Sequence, residues 1–133
     1  MPTDETPSTP SLYDRLGGEE GVRRFTRRFY AVMDEAPEAA ACRAVHPESL
    51  VDSEQKFFEF LSGWLGGPQL FVERRGAPML RARHLSTPIG ENEKSGWVFC
   101  FRRALAETVE DADLRAAILP QIEMLAQHMR NRG

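Results

Sequence analysis

The spacing of the apolar residues limits the fold of this chain more strongly than any other feature. From Ser11 onward these residues recur three or four positions apart, and no stretch sustains the alternation of a half-buried strand. The clearest run occupies positions 97, 100, 101, 104, 105 and 108. The pattern predicts an all-α protein, and 133 residues are enough for one domain with a sizeable buried core.

Turn residues divide this pattern into segments. Residues 1–10 are rich in proline, serine and threonine, so we expect a disordered leader to a domain over 11–133. Gly17-Gly18 predicts a sharp bend, and Gly66-Gly67-Pro68 is a strong helix stop signal. The predicted helical segments are a turn over 11–15 and helices over about 19–33, 52–65, 95–108 and 114–129.

The remaining stretches are expected to be irregular. The connection over 34–47 contains two prolines and should be rich in turns. Residues 68–96 should be a loop with one short helix at about 79–84, and long loops in compact domains tend to be functional. Pro120 should kink the last helix or mark a break near its beginning.

Charge and cysteine content exclude several classes of protein. Seventeen basic and twenty acidic residues give a formal net charge of −3, so the chain has no general attraction for nucleic acid or an anionic membrane. No apolar run approaches the roughly 20 residues that cross a bilayer, and the first residues lack the basic and apolar regions of a secretory signal. Two cysteines are too few for a disulfide framework, which favours reduced thiols in a cytoplasmic protein.

The sequence does not favour most of the common catalytic and metal-binding sites. The three histidines are far apart in the sequence and no CxxC motif accompanies them, which disfavours a structural zinc site. Cys42 and His46 are four positions apart, but Pro47 makes a shared helix face doubtful. No phosphate-binding glycine loop or nucleophile motif is present, and neither cysteine has an identifiable base.

His84 is the histidine that lies in a distinctive setting. It ends the segment Arg81-Ala82-Arg83-His84, in the loop-rich stretch between two aromatic helices. On composition alone, an exposed or backbone-bonded turn histidine is the simpler interpretation. Haem needs only one imidazole ligand, a large apolar slot, and cations near its propionates. Eleven of the twelve aromatic residues lie between Phe25 and Phe101, so the residues to build such a slot are present.

Seven short motifs carry a resemblance to a known family, through their order and spacing rather than singly. They are Leu12-Tyr13-Asp14 followed by Gly17-Gly18, Phe29-Tyr30, His46-Pro47, Phe60-Leu61 leading to Gly66-Gly67-Pro68, Arg75-Gly76 through Pro78, Leu80-Arg81-Ala82-Arg83-His84, and Trp97. Over about residues 11–129 the chain resembles the truncated haemoglobins, specifically their group II branch.

The resemblance implies a two-over-two helical sandwich that holds haem b between its helices. His84 matches the proximal histidine that binds iron, and Arg83 matches the arginine that pairs with a propionate. Tyr30 matches the tyrosine whose hydroxyl points into the distal pocket, and Trp97 matches the tryptophan that marks this branch and donates its indole N–H to bound ligand. The other residues expected to contact the cofactor are Phe57, Phe60, Leu61, Trp64, Leu80 and Ile89.

Four positions depart from the commoner pattern of the branch. His46 stands where tyrosine or phenylalanine is frequent, so ligand stabilisation should become sensitive to pH. Ser53 replaces the usual distal gate residue and should leave an open route, whereas Phe57 should narrow the pocket above the iron. Phe71 replaces a tyrosine that often contacts a propionate, so that hydrogen bond should be missing.

These residues together imply binding of O₂ and other diatomic ligands (NO, CO) at ferrous iron. Donors from Tyr30, Trp97 and His46 should slow the release of O₂, which favours NO dioxygenation or peroxidase-like chemistry with a reductase partner over oxygen delivery. Family members are often homodimers. Two alternatives stay open: a non-catalytic sensor or scavenger, against which the expected lack of an output domain weighs, and a haem-free helical interaction module.

Overall fold

The computed structural model describes residues 10–85 and 87–132, and helices make up its regular structure throughout these ranges. The eight α-helices are α1 (Leu12–Leu16), α2 (Gly18–Glu35), α3 (Ala40–Ala44), α4 (Val51–Trp64), α5 (Leu70–Arg75), α6 (Leu80–Arg83), α7 (Glu91–Thr108) and α8 (Ala112–Met129). No residue in this part lies in a strand, so the all-α prediction is confirmed. The predicted leader lies outside the described residues apart from Pro10, as does Gly133.

The core lies between the four long helices. Helix α2 packs against α4 and α7, and α7 packs against α8. Phe25, Phe29 and Phe101 are buried at the centre, and the Phe25 and Phe101 ring centroids are 4.6 Å apart. The described helices include none that is long and apolar enough to span a membrane.

The first two helices meet at the bend predicted for the double glycine. The Ser11 hydroxyl accepts the Asp14 amide at 3.0 Å and begins α1. Gly17 and Gly18 have φ values of 114° and 68°, a region that glycine enters without steric cost. The chain then folds back closely, because a Cβ on Gly21 would lie 2.1 Å from the Leu16 carbonyl oxygen.

The stretches expected to be irregular contain more helix than the sequence pattern indicates. Residues 34–47 include a 3₁₀ turn at Pro37–Ala39 followed by α3. Helix α5 interrupts the predicted loop, because ion pairs to α4 stabilise a segment whose own apolar pattern is weak.

Two further boundaries differ from the prediction. Helix α7 begins at Glu91 rather than near residue 95, and the Glu93 carboxylate accepts the Gly90 amide at 2.7 Å as an N-terminal cap. Helix α8 continues through Pro120, so the predicted alternative of a break does not occur.

Candidate functional site

A cavity of about 670 Å³ lies among the helices, within the size range of cofactor and ligand pockets. Helices α2, α4, α6, α7 and α8 all contribute side chains to its wall. The structure brings most of the sequence-predicted site residues to this wall. Those residues are Tyr30, His46, Ser53, Phe57, Phe60, Leu80, Arg83, His84, Ile89 and Trp97.

The structure does not bring Leu61 and Trp64 to the cavity. Leu61 is fully buried in the helix core, and Trp64 lines a separate hollow of about 210 Å³ together with Phe60. The cause is the rotation of α4, whose cavity face carries positions 53, 56, 57 and 60 while positions 58, 61 and 65 face the core.

His84 follows directly after α6 and is half-buried. Its Nδ1 lies 2.7 Å from the Leu80 carbonyl oxygen, which can only accept a hydrogen bond. Nδ1 therefore carries the proton and donates. The tautomer leaves the lone pair on Nε2, which is the form of imidazole that binds a metal ion.

Tyr30, His46, Phe57 and Trp97 form a cluster of rings on another part of the wall. The Tyr30 ring centroid lies 6.1 Å from those of His46 and Phe57, and the Phe57 centroid lies 5.7 Å from that of Trp97. Burial raises the pKa of the Tyr30 hydroxyl far above its ordinary value, so the group is a neutral donor. Within residues 10–85 and 87–132, neither this hydroxyl nor the Trp97 indole has a hydrogen-bond partner.

His46 has a fixed orientation as well. Its Nδ1 donates to the Cys42 carbonyl oxygen at 2.9 Å, which leaves Nε2 without a proton in the neutral ring. Burial lowers the pKa of His46; the Cys42 carbonyl opposes this shift, while Arg43 and His84 add to it. The neutral ring is therefore favoured, with Nε2 able to accept a hydrogen bond.

Four cations line the same cavity, and only Arg83 among them was predicted from the sequence. The others are Lys56, Arg75 and Lys94. Lys56 was predictable, because it lies three residues after Ser53 and four before Phe60 on one face of α4. Arg75 and Lys94 lie in stretches whose helical register the sequence does not show.

Backbone carbonyl groups hold one of these cations, Arg83. Arg83 Nη2 donates to the carbonyl oxygens of Arg75 at 3.0 Å and Ala77 at 2.9 Å. Its guanidinium also lies 5.0 Å from the centroid of Phe71, which lines the cavity and carries no hydroxyl. Arg83 therefore has a defined position beside the cavity, with further N–H groups left for an anionic partner.

Glu59 is a buried carboxylate that was not predicted from the sequence. Its side chain is 2% exposed and accepts hydrogen bonds from Arg75 Nε at 2.6 Å, Gln55 Nε2 at 2.9 Å and Arg74 Nη1 at 3.0 Å. Burial alone would raise its pKa, but the three hydrogen bonds outweigh burial and lower the pKa to about 2. Glu59 is therefore charged at neutral pH and holds α5 to α4.

Both cysteines are buried and free, and Cys42 lines the cavity. Burial raises the pKa of each thiol to about 12. The neutral thiols have no nucleophilic character at neutral pH.

Comparison with known proteins identifies the family. The family model described as bacterial-like globin matches residues 11–131. The solved structure of the group II 2-on-2 hemoglobin from Agrobacterium tumefaciens is 51% identical and superposes with a TM-score of 0.93, covering 98% of this chain and 100% of that one. The chain belongs to the group II truncated haemoglobins.

Other truncated haemoglobins agree with this assignment. The Bacillus subtilis protein named group 2 truncated hemoglobin YjbI is 32% identical over 86% of this chain and 84% of its own length. A structure described as a truncated oxygen-avid haemoglobin from the same species is 31% identical with a TM-score of 0.83, covering 92% of this chain and 100% of that one. The two-over-two fold is thereby confirmed, and membership of the family implies ligand binding through haem.

The residues present in this truncated haemoglobin fit that cofactor. His84 offers a lone pair on Nε2, the ring cluster gives a largely apolar wall that carries the Tyr30 hydroxyl and the Trp97 indole, and the cations Lys56 and Arg83 also line the cavity. The chemistry of this donor set matches the needs of haem in each respect.

Proposed function

We propose that this truncated haemoglobin holds haem b in the cavity of about 670 Å³ and binds O₂ and other diatomic ligands such as NO and CO. The observation that carries the proposal is the hydrogen bond from His84 Nδ1 to the Leu80 carbonyl oxygen at 2.7 Å. That bond orients the ring and keeps the lone pair on Nε2, as the outer partner of a metal-bound histidine does.

The haem-holding residues divide into an iron ligand, cations and apolar side chains. Haem, when bound, supplies a ferrous iron with an open coordination position for a diatomic gas. His84 Nε2 would hold the iron, and Arg83 and Lys56 would face the propionates. Phe60, Leu80 and Ile89 would cover the macrocycle and exclude water.

The ring cluster would form the ligand side of the pocket. Tyr30 and Trp97 would donate hydrogen bonds to a ligand that gains negative charge, since both side chains line the cavity. His46 would accept at neutral pH and donate only when protonated. Ser53 is small enough to leave an entry route, whereas Phe57 narrows the pocket.

Strong donors in a buried pocket slow ligand release. The similarity to a protein described as oxygen-avid supports this part of the proposal. Slow release suits redox chemistry of the ligand, either NO dioxygenation or peroxidase-like turnover, better than oxygen delivery. Such turnover requires a reductase partner, and a cytoplasmic location would give access to one. The family resemblance also implies a homodimer.

The proposal is tested by titrating haemin into the purified protein and recording the Soret band. The wild type should bind one haem per chain, and His84→Ala should lose fifth coordination and release haem at least about tenfold faster. His128→Ala is the matched control, since that histidine is exposed on α8 and does not line the cavity. A wild type that stays colourless, or a His84→Ala protein with an unchanged spectrum, would contradict the proposal.

A further inference from the structure

We propose that Asn131 is a positioning residue that holds His84 in register to bind the iron. The inference rests on the proposed function, because it concerns the histidine that would carry the haem. Asn131 lies just beyond the end of α8, two residues after Met129 and far from His84 in the sequence. Neither the aromatic pattern nor the family motifs quoted above point to it.

Asn131 binds the segment that follows His84 through both ends of its side-chain amide. Nδ2 donates to the carbonyl oxygens of His84 at 3.1 Å and Thr87 at 3.0 Å. Oδ1 accepts the backbone amide of Ile89 at 2.9 Å. The backbone adds two further bonds, since the amides of Asn131 and Arg132 donate to the Ile89 carbonyl oxygen at 2.8 and 3.0 Å.

The chemistry of these partners leaves one orientation for the amide. Two carbonyl oxygens require the NH₂ group and one N–H requires the oxygen, so a flipped amide would lose all three bonds. No other standard side chain offers two donors and an acceptor with this length and shape. The requirement for asparagine is therefore specific.

The position of His84 depends on such a bond because the helix that leads to it is short. Helix α6 has four residues, and Met79 before it has φ of 40°, an unusual backbone conformation for a residue with a side chain. The His84 amide donates to Leu80 at 3.1 Å on one side, and Asn131 binds the His84 carbonyl on the other. Asn131 thus fixes the backbone from which the imidazole projects.

The same residue also connects the ligand histidine to the cavity wall. Ile89 lines the cavity, and both its amide and its carbonyl are held by the 131–132 backbone and side chain. Loss of Asn131 should therefore loosen His84 and Ile89 together. Outer partners of metal-binding residues typically change affinity by about 10- to 100-fold when removed.

Two variants distinguish the two hydrogen bonds that the Asn131 NH₂ group donates from the one that its oxygen accepts. Asn131→Ala removes every side-chain bond, whereas Asn131→Asp keeps an oxygen for the Ile89 amide but replaces the donors with an oxygen that repels the two carbonyls. Gln121→Ala and Gln121→Glu are matched controls, because Gln121 is exposed on α8 and, within residues 10–85 and 87–132, its amide donates only to the Ala117 carbonyl of its own helix, at 3.1 Å.

Three measurements on the haem-loaded protein test the proposal. Both Asn131 variants should lose haemin to an apoglobin acceptor about tenfold faster than wild type and should shift the iron–histidine stretching band in the resonance Raman spectrum of the ferrous form. Amide hydrogen exchange of Ile89 should increase in Asn131→Ala and stay protected in Asn131→Asp. Both Gln121 variants should behave as wild type in all three.

The outcomes distinguish this inference from the proposed function. Asn131 variants that keep the wild-type rate of haemin loss and the wild-type iron–histidine band would overturn the positioning role while leaving haem binding intact. If wild type binds no haemin, the proposed function and this inference fail together. If Asn131→Ala does not fold, Asn131→Asp alone decides, because it retains the Ile89 bond.

Discussion

At the scale of single residues, hydrogen-bond direction decides what each cavity side chain can offer. Nδ1 of His84 donates to the Leu80 carbonyl and Nδ1 of His46 donates to the Cys42 carbonyl. In each neutral ring the lone pair is therefore on Nε2. Tyr30 and Trp97 have no protein partner among residues 10–85 and 87–132, and burial keeps the Tyr30 hydroxyl neutral. The cavity therefore combines two imidazole lone pairs with two free donors.

Removing either free donor should accelerate O₂ release. Tyr30→Phe and Trp97→Phe each delete one hydrogen bond to the ligand, worth about 1 kcal/mol and thus about fivefold in the off-rate. Stopped-flow displacement of O₂ by CO measures this rate. Tyr13→Phe is the control, since Tyr13 packs against Gly67 and does not line the cavity. Unchanged off-rates in both donor variants would contradict the assignment of these groups.

At the scale of helices, one buried carboxylate organises the wall that carries the cations. Glu59 on α4 binds both arginines at the end of α5, and the Arg75 carbonyl in turn accepts from Arg83 on α6. Polar groups therefore connect α4, α5 and α6, in addition to the contact between the Phe60 and Phe71 rings. This explains why α5 has a defined position although Phe71 is its single buried residue.

Glu59→Gln should destabilise the protein in a way that depends on pH. Removing one member of a buried ion pair is costly, and because the two arginines are partly exposed we expect about 2 kcal/mol at pH 7. The folded pKa of about 2 lies below the ordinary carboxyl value. The stabilisation is therefore present above that ordinary value and is lost as pH falls toward 2.

Urea unfolding of both proteins at several pH values measures this difference. The stability gap between wild type and Glu59→Gln should narrow steadily below pH of about 4.5. Glu73→Gln is the control. Glu73 is exposed on α5, the helix that carries the two arginines, and in the described part of the chain it does not bind either arginine side chain. A gap that stays constant with pH would show that the Glu59 charge does not stabilise the fold.

The contrast between strong and weak helical patterns also explains what the sequence predicts well. Helices α2, α4 and α8 bury continuous apolar faces, and their predicted bounds agree with the structure to within a few residues. Helix α5 and the first turn of α7 escape prediction because ion pairs and the Glu93 cap stabilise them, and the partners of such bonds are remote or polar. Apolar periodicity carries no information about either.

At the scale of the whole molecule, the aromatic residues divide between core and cavity. Phe25, Phe29 and Phe101 are buried in the helix core, whereas Phe57 and Trp97 line the cavity and contact Phe29 from that side. The sequence shows the clustering, but the division depends on how α4 is rotated. For the same reason Leu61 and Trp64, which were expected to contact the cofactor, do not line the cavity, whereas Lys56 lines it and was not predicted.

The proposed function depends centrally on which side chain binds the iron. The most direct measurement is a crystal structure of the haemin complex with the iron located by its anomalous scattering. We predict an iron peak within bonding distance of His84 Nε2, with Tyr30, His46 and Trp97 on the opposite face of the haem. Iron bound to His46 instead of His84, or haem outside the cavity, would contradict the account.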